Sequence, residues 1–120
     1  MKNVLLVDDD THFRRSLSIG LETMGYQTYE AGSGVEALEF LQVNQKQNDK
    51  VESIVIDVRM PGLNGFWIAD YVSTIYPSLR IIILSAYYYS IKSEHYIIFK
   101  KPVKLQKLVK ALERKVKFLS

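Results

Sequence analysis

The run Ile81-Ile82-Ile83-Leu84 has no polar face. A strand with one side in water alternates apolar and polar residues, so this one needs cover on both sides. Val4-Leu5-Leu6-Val7 and Ile54-Val55-Ile56 have the same character. Between such runs lie segments with helical spacing. Phe13, Leu17, Leu21 and Met24 form the first, closed by Gly25, and Tyr26–Glu30 reads as a weaker second strand. Ser33 with Glu36 has the spacing of a capping box, opening a helix that holds Val35, Leu38 and Leu41. After Ile54–Ile56 comes a helix with Ile68, Val72 and Ile75, stopped by Pro77. Ile81–Leu84 is the fourth strand and Tyr96–Phe99 the fifth. A last helix aligns Leu105, Leu108, Val109, Leu112, Val116 and Leu119 on one stripe, with Lys104, Lys107, Lys110 and Lys117 elsewhere. Strands of this kind interleaved with helices predict an open, doubly wound α/β domain built on a five-stranded parallel sheet.

The 120 residues fit one domain spanning 1–120, large enough to need no metal or disulfide staple. With no cysteine, the chain has no disulfide scaffold, zinc–thiolate site, iron–sulfur cluster or thiol nucleophile. No apolar run approaches the ~20 residues of a membrane span, and no signal-peptide pattern precedes the first strand. A soluble, cytoplasmic protein is expected. Charge is uneven along the chain: residues 1–91 sum to −4, and residues 92–120 to +7. The basic end reads as a solvated helix face or a surface for an acidic protein; without interleaved aromatics or a helix-turn-helix, no direct nucleic-acid contact is expected.

In sheets of this class ligands sit beyond the carboxyl ends of the strands. There the sequence places Asp8, Asp9 and Asp10 after strand one, Asp57 after strand three, Ser85 after strand four and Lys101 after strand five. Clustered carboxylates repel one another unless a cation joins them, and an oxygen-only donor set suits a hard ion such as Mg²⁺. A carboxylate can also act as nucleophile toward phosphorus. A metal, an ammonium and a hydroxyl then suffice to neutralise the transferred group.

The motifs VLLVDDD (4–10), YEAGSGVEALEFL (29–41), IDVRMPGLNGF (56–66), IIILSA (81–86) and KP (101–102) together resemble the receiver domains of two-component response regulators, over essentially the whole chain. The resemblance implies a flavodoxin-like strand order of 2-1-3-4-5. It makes Asp57 the phospho-acceptor. Mg²⁺ is implied to be held by Asp57, by Asp9 directly, by Asp8 through water and by the backbone carbonyl of Arg59. Ser85 becomes the hydroxyl that closes on the phosphoryl group and Lys101 its counter-ion, with a cis Lys101–Pro102 bond. Pro61 and Gly62 shape the turn after the acceptor, and Gly65 lets that loop reach the next helix. A histidine kinase or phosphotransfer domain is the implied donor. Output is implied through a protein partner or a domain not in this chain, with a homodimer as an option, on the face of the fourth crossover helix, fifth strand and last helix. Apart from handling its own phosphoryl group, such a domain is not an enzyme.

Two features depart from the family. Its usual aromatic, three residues before the lysine, is here Ile98, and Tyr96 shares that strand face. Only 15 residues separate Ser85 from Lys101. Residues 86–95 must then form the whole crossover, so its helix is expected to be short or absent. Tyr87-Tyr88-Tyr89 and Tyr96 hold half of the eight tyrosines, either covering the sheet there or forming an interface. Arg59 and Tyr87, two residues beyond Asp57 and Ser85, are placed to flank the phosphoryl group. Asp10 is either a helix cap or a site residue. His12 reads as solvated and Trp67 as packing. The rival readings are a pseudo-receiver that works without phosphorylation and, more remotely, a haloacid-dehalogenase-type phosphatase. The latter lacks an acidic pair after Lys101, since only Glu113 follows it.

Overall fold

The computed structural model describes residues 2–60, 62–87 and 93–114. Within them, strands and helices alternate as β1 (Lys2–Val7), α1 (Thr11–Thr23), β2 (Tyr26–Ala31), α2 (Gly34–Asn44), β3 (Ser53–Asp57), α3 (Gly65–Ile75), β4 (Arg80–Ser85), β5 (Tyr96–Lys100) and α4 (Leu105–Glu113). The strands form one sheet in the order β2-β1-β3-β4-β5, with every neighbouring pair parallel.

Strand alternation divides the apolar residues between two layers. Leu5, Val7, Ile54, Ile56, Ile81 and Ile83 pack with Ala37 and Leu41 of α2 and Ile68 and Val72 of α3. Val4, Leu6, Val55, Ile82 and Leu84 face the other way, onto Leu21 of α1 and Leu108, Val109 and Leu112 of α4. Most of these side chains are almost completely buried. Each such Leu or Ile contributes about 1.5–3 kcal/mol of transfer free energy. The unbroken isoleucine run of β4 is the consequence of having a helical layer on both sides.

Helix starts follow local chemistry. Asp10 caps α1 by accepting from the Phe13 N–H, and Asn64 caps α3 by accepting from Phe66. Ser33 caps α2 by accepting from Glu36 N–H, while the Glu36 carboxylate returns to the N–H of Gly32 rather than to Ser33. Gly25 has φ of 91°, the left-handed conformation that closes α1. Three residues expected on buried stripes lie outside: Met24, Val35 and Ile75 are about half exposed or more. Met24 follows the last residue of α1, Val35 opens the outer side of α2, and Ile75 is the last residue of α3.

None of the described helices joins β4 to β5, and residues 88–92 of that connection, on which the expectation of a short or absent helix falls, lie outside the described residues. Tyr88 and Tyr89 lie outside the described residues, as do Pro61 and, beyond α4, Val116, Lys117 and Leu119. Tyr96 and Ile98 share one face of β5 and pack on the α2–α3 layer, where Phe66 approaches the Tyr96 ring at 6.1 Å. Among the described residues no helix is long and apolar enough to cross a membrane.

Candidate functional site

β1 and β3 are adjacent, with Val7 opposite Ile56, so the residues that follow on each strand come together at the carboxyl edge. Asp8 and Asp57 are buried there, at 5% and 8% exposure, while Asp9 is exposed. One carboxylate oxygen from each of Asp8, Asp9 and Asp57 lies within 4.8 Å of the others. Oxygens on one octahedral Mg²⁺ stand roughly 3–4 Å apart, so small side-chain adjustments would bring all three onto one ion. Asp10, by contrast, spends its carboxylate on the α1 cap.

Lys101 enters from the end of β5. Its Nζ lies 2.8 Å from Asp57 Oδ1 and 3.2 Å from Asp8 Oδ2. The same ammonium sits 4.1 Å from the centre of the Phe13 ring, which gives it an aromatic floor. Burial works to lower the Lys101 pKa, but hydrogen bonds and charge from Asp57 and Asp8 outweigh it and leave the group raised. Burial raises the Asp8 carboxyl pKa, and the charge of Asp57 adds to that; the Asp10 N–H and Lys101 offset only part. Two of the three carboxylates, Asp8 and Asp57, therefore share one ammonium, and the third, Asp9, has no hydrogen-bond or ion-pair partner among the described residues. A surplus of negative charge with oxygen-only donors fits a hard divalent cation.

Ser85 ends β4 almost fully buried, and its Oγ accepts from the Tyr87 N–H at 3.0 Å. Its carbonyl accepts from the Lys101 N–H at 2.6 Å, which ties the ends of β4 and β5 together. The Lys101–Pro102 peptide is cis. The Arg59 side chain leaves the β3 loop and lays its guanidinium 4.3 Å from the Tyr87 ring centre, joining the two loops that flank Asp57. Gly65 packs so closely that a Cβ there would stand 2.4 Å from the Asp57 carbonyl oxygen. The chain thus gathers Asp8, Asp9, Asp57 and Lys101 directly, and puts Ser85, Arg59 and Tyr87 on the adjoining strand end and loops.

Residues 4–113 match the family described as the response regulator receiver domain. The chain belongs to this family. It is 29% identical to Sporulation initiation phosphotransferase F of Bacillus subtilis over 86 residues, which cover 72% of this chain and 65% of that protein. The first curated relatives are longer than the matched region, which spans between 9% and 65% of their lengths. The structure of Vibrio cholerae chemotaxis protein CheY4 superposes with a TM-score of 0.80 at 30% identity, covering 95% of this chain and 98% of that one. A Burkholderia pseudomallei response regulator, described with a phosphorylated aspartic acid and a calcium ion, superposes at 0.79 and 25% identity, covering 97% of this chain and 69% of that one.

Three residues of the receiver's site were not marked by its strand ends. Phe13 reads as a core residue by periodicity but lies beneath Lys101. Arg14 and Glu30 form an ion pair of 3.0 Å, and Arg14 also donates to the Asp8 carbonyl oxygen at 2.5 Å. The sequence signal was Glu30, a carboxylate at the carboxyl end of the second strand, next to last in β2.

Proposed function

We propose that this receiver accepts a phosphoryl group on Asp57, with Mg²⁺ held by Asp8, Asp9, Asp57 and the Arg59 carbonyl, and uses it to switch a protein-interaction face. The observation that supports this most is the Asp8–Asp9–Asp57 cluster answered by a single ammonium, Lys101. A histidine kinase, a phosphotransfer domain or a small acyl phosphate would serve as donor. The Asp57 carboxylate oxygen not engaged by Lys101 attacks phosphorus. The phosphorus bond to the donor nitrogen or oxygen breaks as the new one forms, and the leaving group keeps its electron pair. Mg²⁺ held by these residues would supply positive charge to the phosphoryl oxygens. Lys101 moves from the Asp57 carboxylate toward a phosphoryl oxygen, and Ser85 turns its hydroxyl proton to another.

The added charge pulls on the loops carrying Ser85 and Lys101. Because the Tyr87 N–H donates to Ser85 Oγ and the Tyr87 ring lies against Arg59, movement of Ser85 reaches the loop before β5. With Ile98 in place of an aromatic, output here relies on that loop. Apart from gaining and losing its own phosphoryl group, the domain catalyses nothing, and it works in the cytoplasm where kinase and partner are found.

Incubation with Mg²⁺ and acetyl phosphate, followed by intact mass, tests the reading. One phosphoryl adduct on the wild type and none on Asp57→Asn is the expected result. No adduct with acetyl phosphate or with a competent kinase domain would favour an interaction module that works without phosphorylation.

A further inference from the structure

Both peptide groups of Asp8 are tied to β2. Its N–H donates to the Ala31 carbonyl at 3.1 Å. Its carbonyl oxygen accepts from Arg14 Nη1 at 2.5 Å, while Arg14 Nε donates to Glu30 Oε1 at 3.0 Å. The Arg14 and Glu30 side chains are only 15% and 22% exposed. The second Glu30 oxygen is taken by Arg15 at 2.9 Å, so the carboxylate that holds Arg14 is itself held. Space around the guanidinium is also tight, since a Cβ on Gly32 would lie 3.3 Å from Arg14 Nη1.

The Asp8 carbonyl belongs to the same rigid peptide plane as the Asp9 N–H. Fixing that oxygen therefore fixes the direction in which Asp9 leaves the strand. Asp8 has other restraints, with one carboxylate oxygen on the Asp10 N–H and the other on Lys101. The exposed Asp9 side chain has no such partner among the described residues. We infer that Arg14, braced by Glu30, is a positioning residue that aims Asp9 at the metal; this rests on the receiver reading above. An ion pair of this kind standing alone would add little. Here the guanidinium spans a carboxylate and a carbonyl with two donors in a fixed fork, which a lysine ammonium cannot reproduce.

The test is an Mg²⁺ titration without any phosphoryl donor, followed by amide chemical shifts. Arg14→Met should weaken Mg²⁺ binding by about 10-fold or more, in line with other outer-sphere partners of metal ligands. Arg14→Lys, which keeps a positive charge facing Glu30, should recover thermal stability but not the full affinity. If Arg14 acts through Asp9, adding Asp9→Asn to Arg14→Met should cost much less than it does in the wild type. Wild-type affinity in Arg14→Lys, or losses from Arg14→Met and Asp9→Asn that simply add, would overturn the inference while leaving the receiver reading intact. Absence of Mg²⁺ binding in the wild type would overturn both.

Discussion

Asp8 carries an electrostatic cost. Burial, reinforced by the charge of Asp57, raises its pKa above the ordinary 3.8. A carboxyl that is harder to ionise in the fold than in the unfolded chain stabilises the fold in its protonated form. That stabilisation is complete below the unfolded value and is lost as pH rises through the folded one. At pH 7 the ionised group therefore works against folding. Asp8→Asn should melt at a higher temperature than the wild type at pH 7, with the gain shrinking as pH falls through the raised value. Equal melting temperatures at pH 7 would contradict the charge balance described for the site. The residues most readable in the sequence were those whose chemistry coincides with a strand end: Asp8, Asp57, Ser85 and Lys101. Asp10 was ambiguous because a carboxylate before a helix suits a cap as well as a metal, and only the bond from the Phe13 N–H decides between them. Arg14 and Glu30 stayed hidden because they are 16 residues apart and meet through side-chain reach between α1 and β2, which no local periodicity encodes.

At the scale of elements, the approach of α3 to the end of β3 fixes the acceptor loop. Gly65 opens α3 directly against the Asp57 carbonyl and the Val58 Cα, and a Cβ would lie 2.4 and 2.8 Å from them. Both atoms are backbone, so they cannot turn aside as a side-chain tip could. Gly65→Ala should cost about 1–3 kcal/mol in urea unfolding, the usual range for overpacking, and should also shift the Asp57 amide resonance. A variant with wild-type stability and an unmoved Asp57 amide would mean that helix and loop are not coupled here. Element type was legible because β4 and the buried parts of β1 and β3 leave no polar face, and because Asp10 and Ser33 stand where helices begin; the Asn64 cap of α3 came only with the structure. Which apolar residues end up buried was less legible. Periodicity marks a face but not where the sheet beneath it stops, so Ile75 at the end of α3 projects past its support toward an open groove shared with Val43.

The whole molecule separates chemistry from fastening. The carboxyl edge of the sheet gathers the acids and Lys101, while the opposite edge binds strands to the last helix. There Tyr26 donates to Glu113 at 3.3 Å, Lys2 meets the same oxygen at 3.2 Å, and Arg80 donates to the carbonyls of Leu112 and Arg114. Burial, then the Glu113 charge, pushes the Tyr26 hydroxyl from 10.0 up to about 12. Its contribution to stability is complete below the unfolded value and is lost as pH rises toward the folded one. The wild-type urea midpoint should fall between pH 10 and 12 more steeply than that of Tyr26→Phe; parallel falls would remove Tyr26 from this role. Sheet order could be inferred only from resemblance, because local pattern does not specify which parallel strands are neighbours. The short β4–β5 connection, by contrast, was a matter of counting residues. Trp67 is the chain's single tryptophan, half exposed and stacked 5.3 Å from the Tyr71 ring, two positions beyond the glycine pressed against Asp57. A single indole, beside its own aromatic neighbour, thus stands on the helix that packs against the acceptor loop, where a rearrangement of that loop would register as a change in emission without a label.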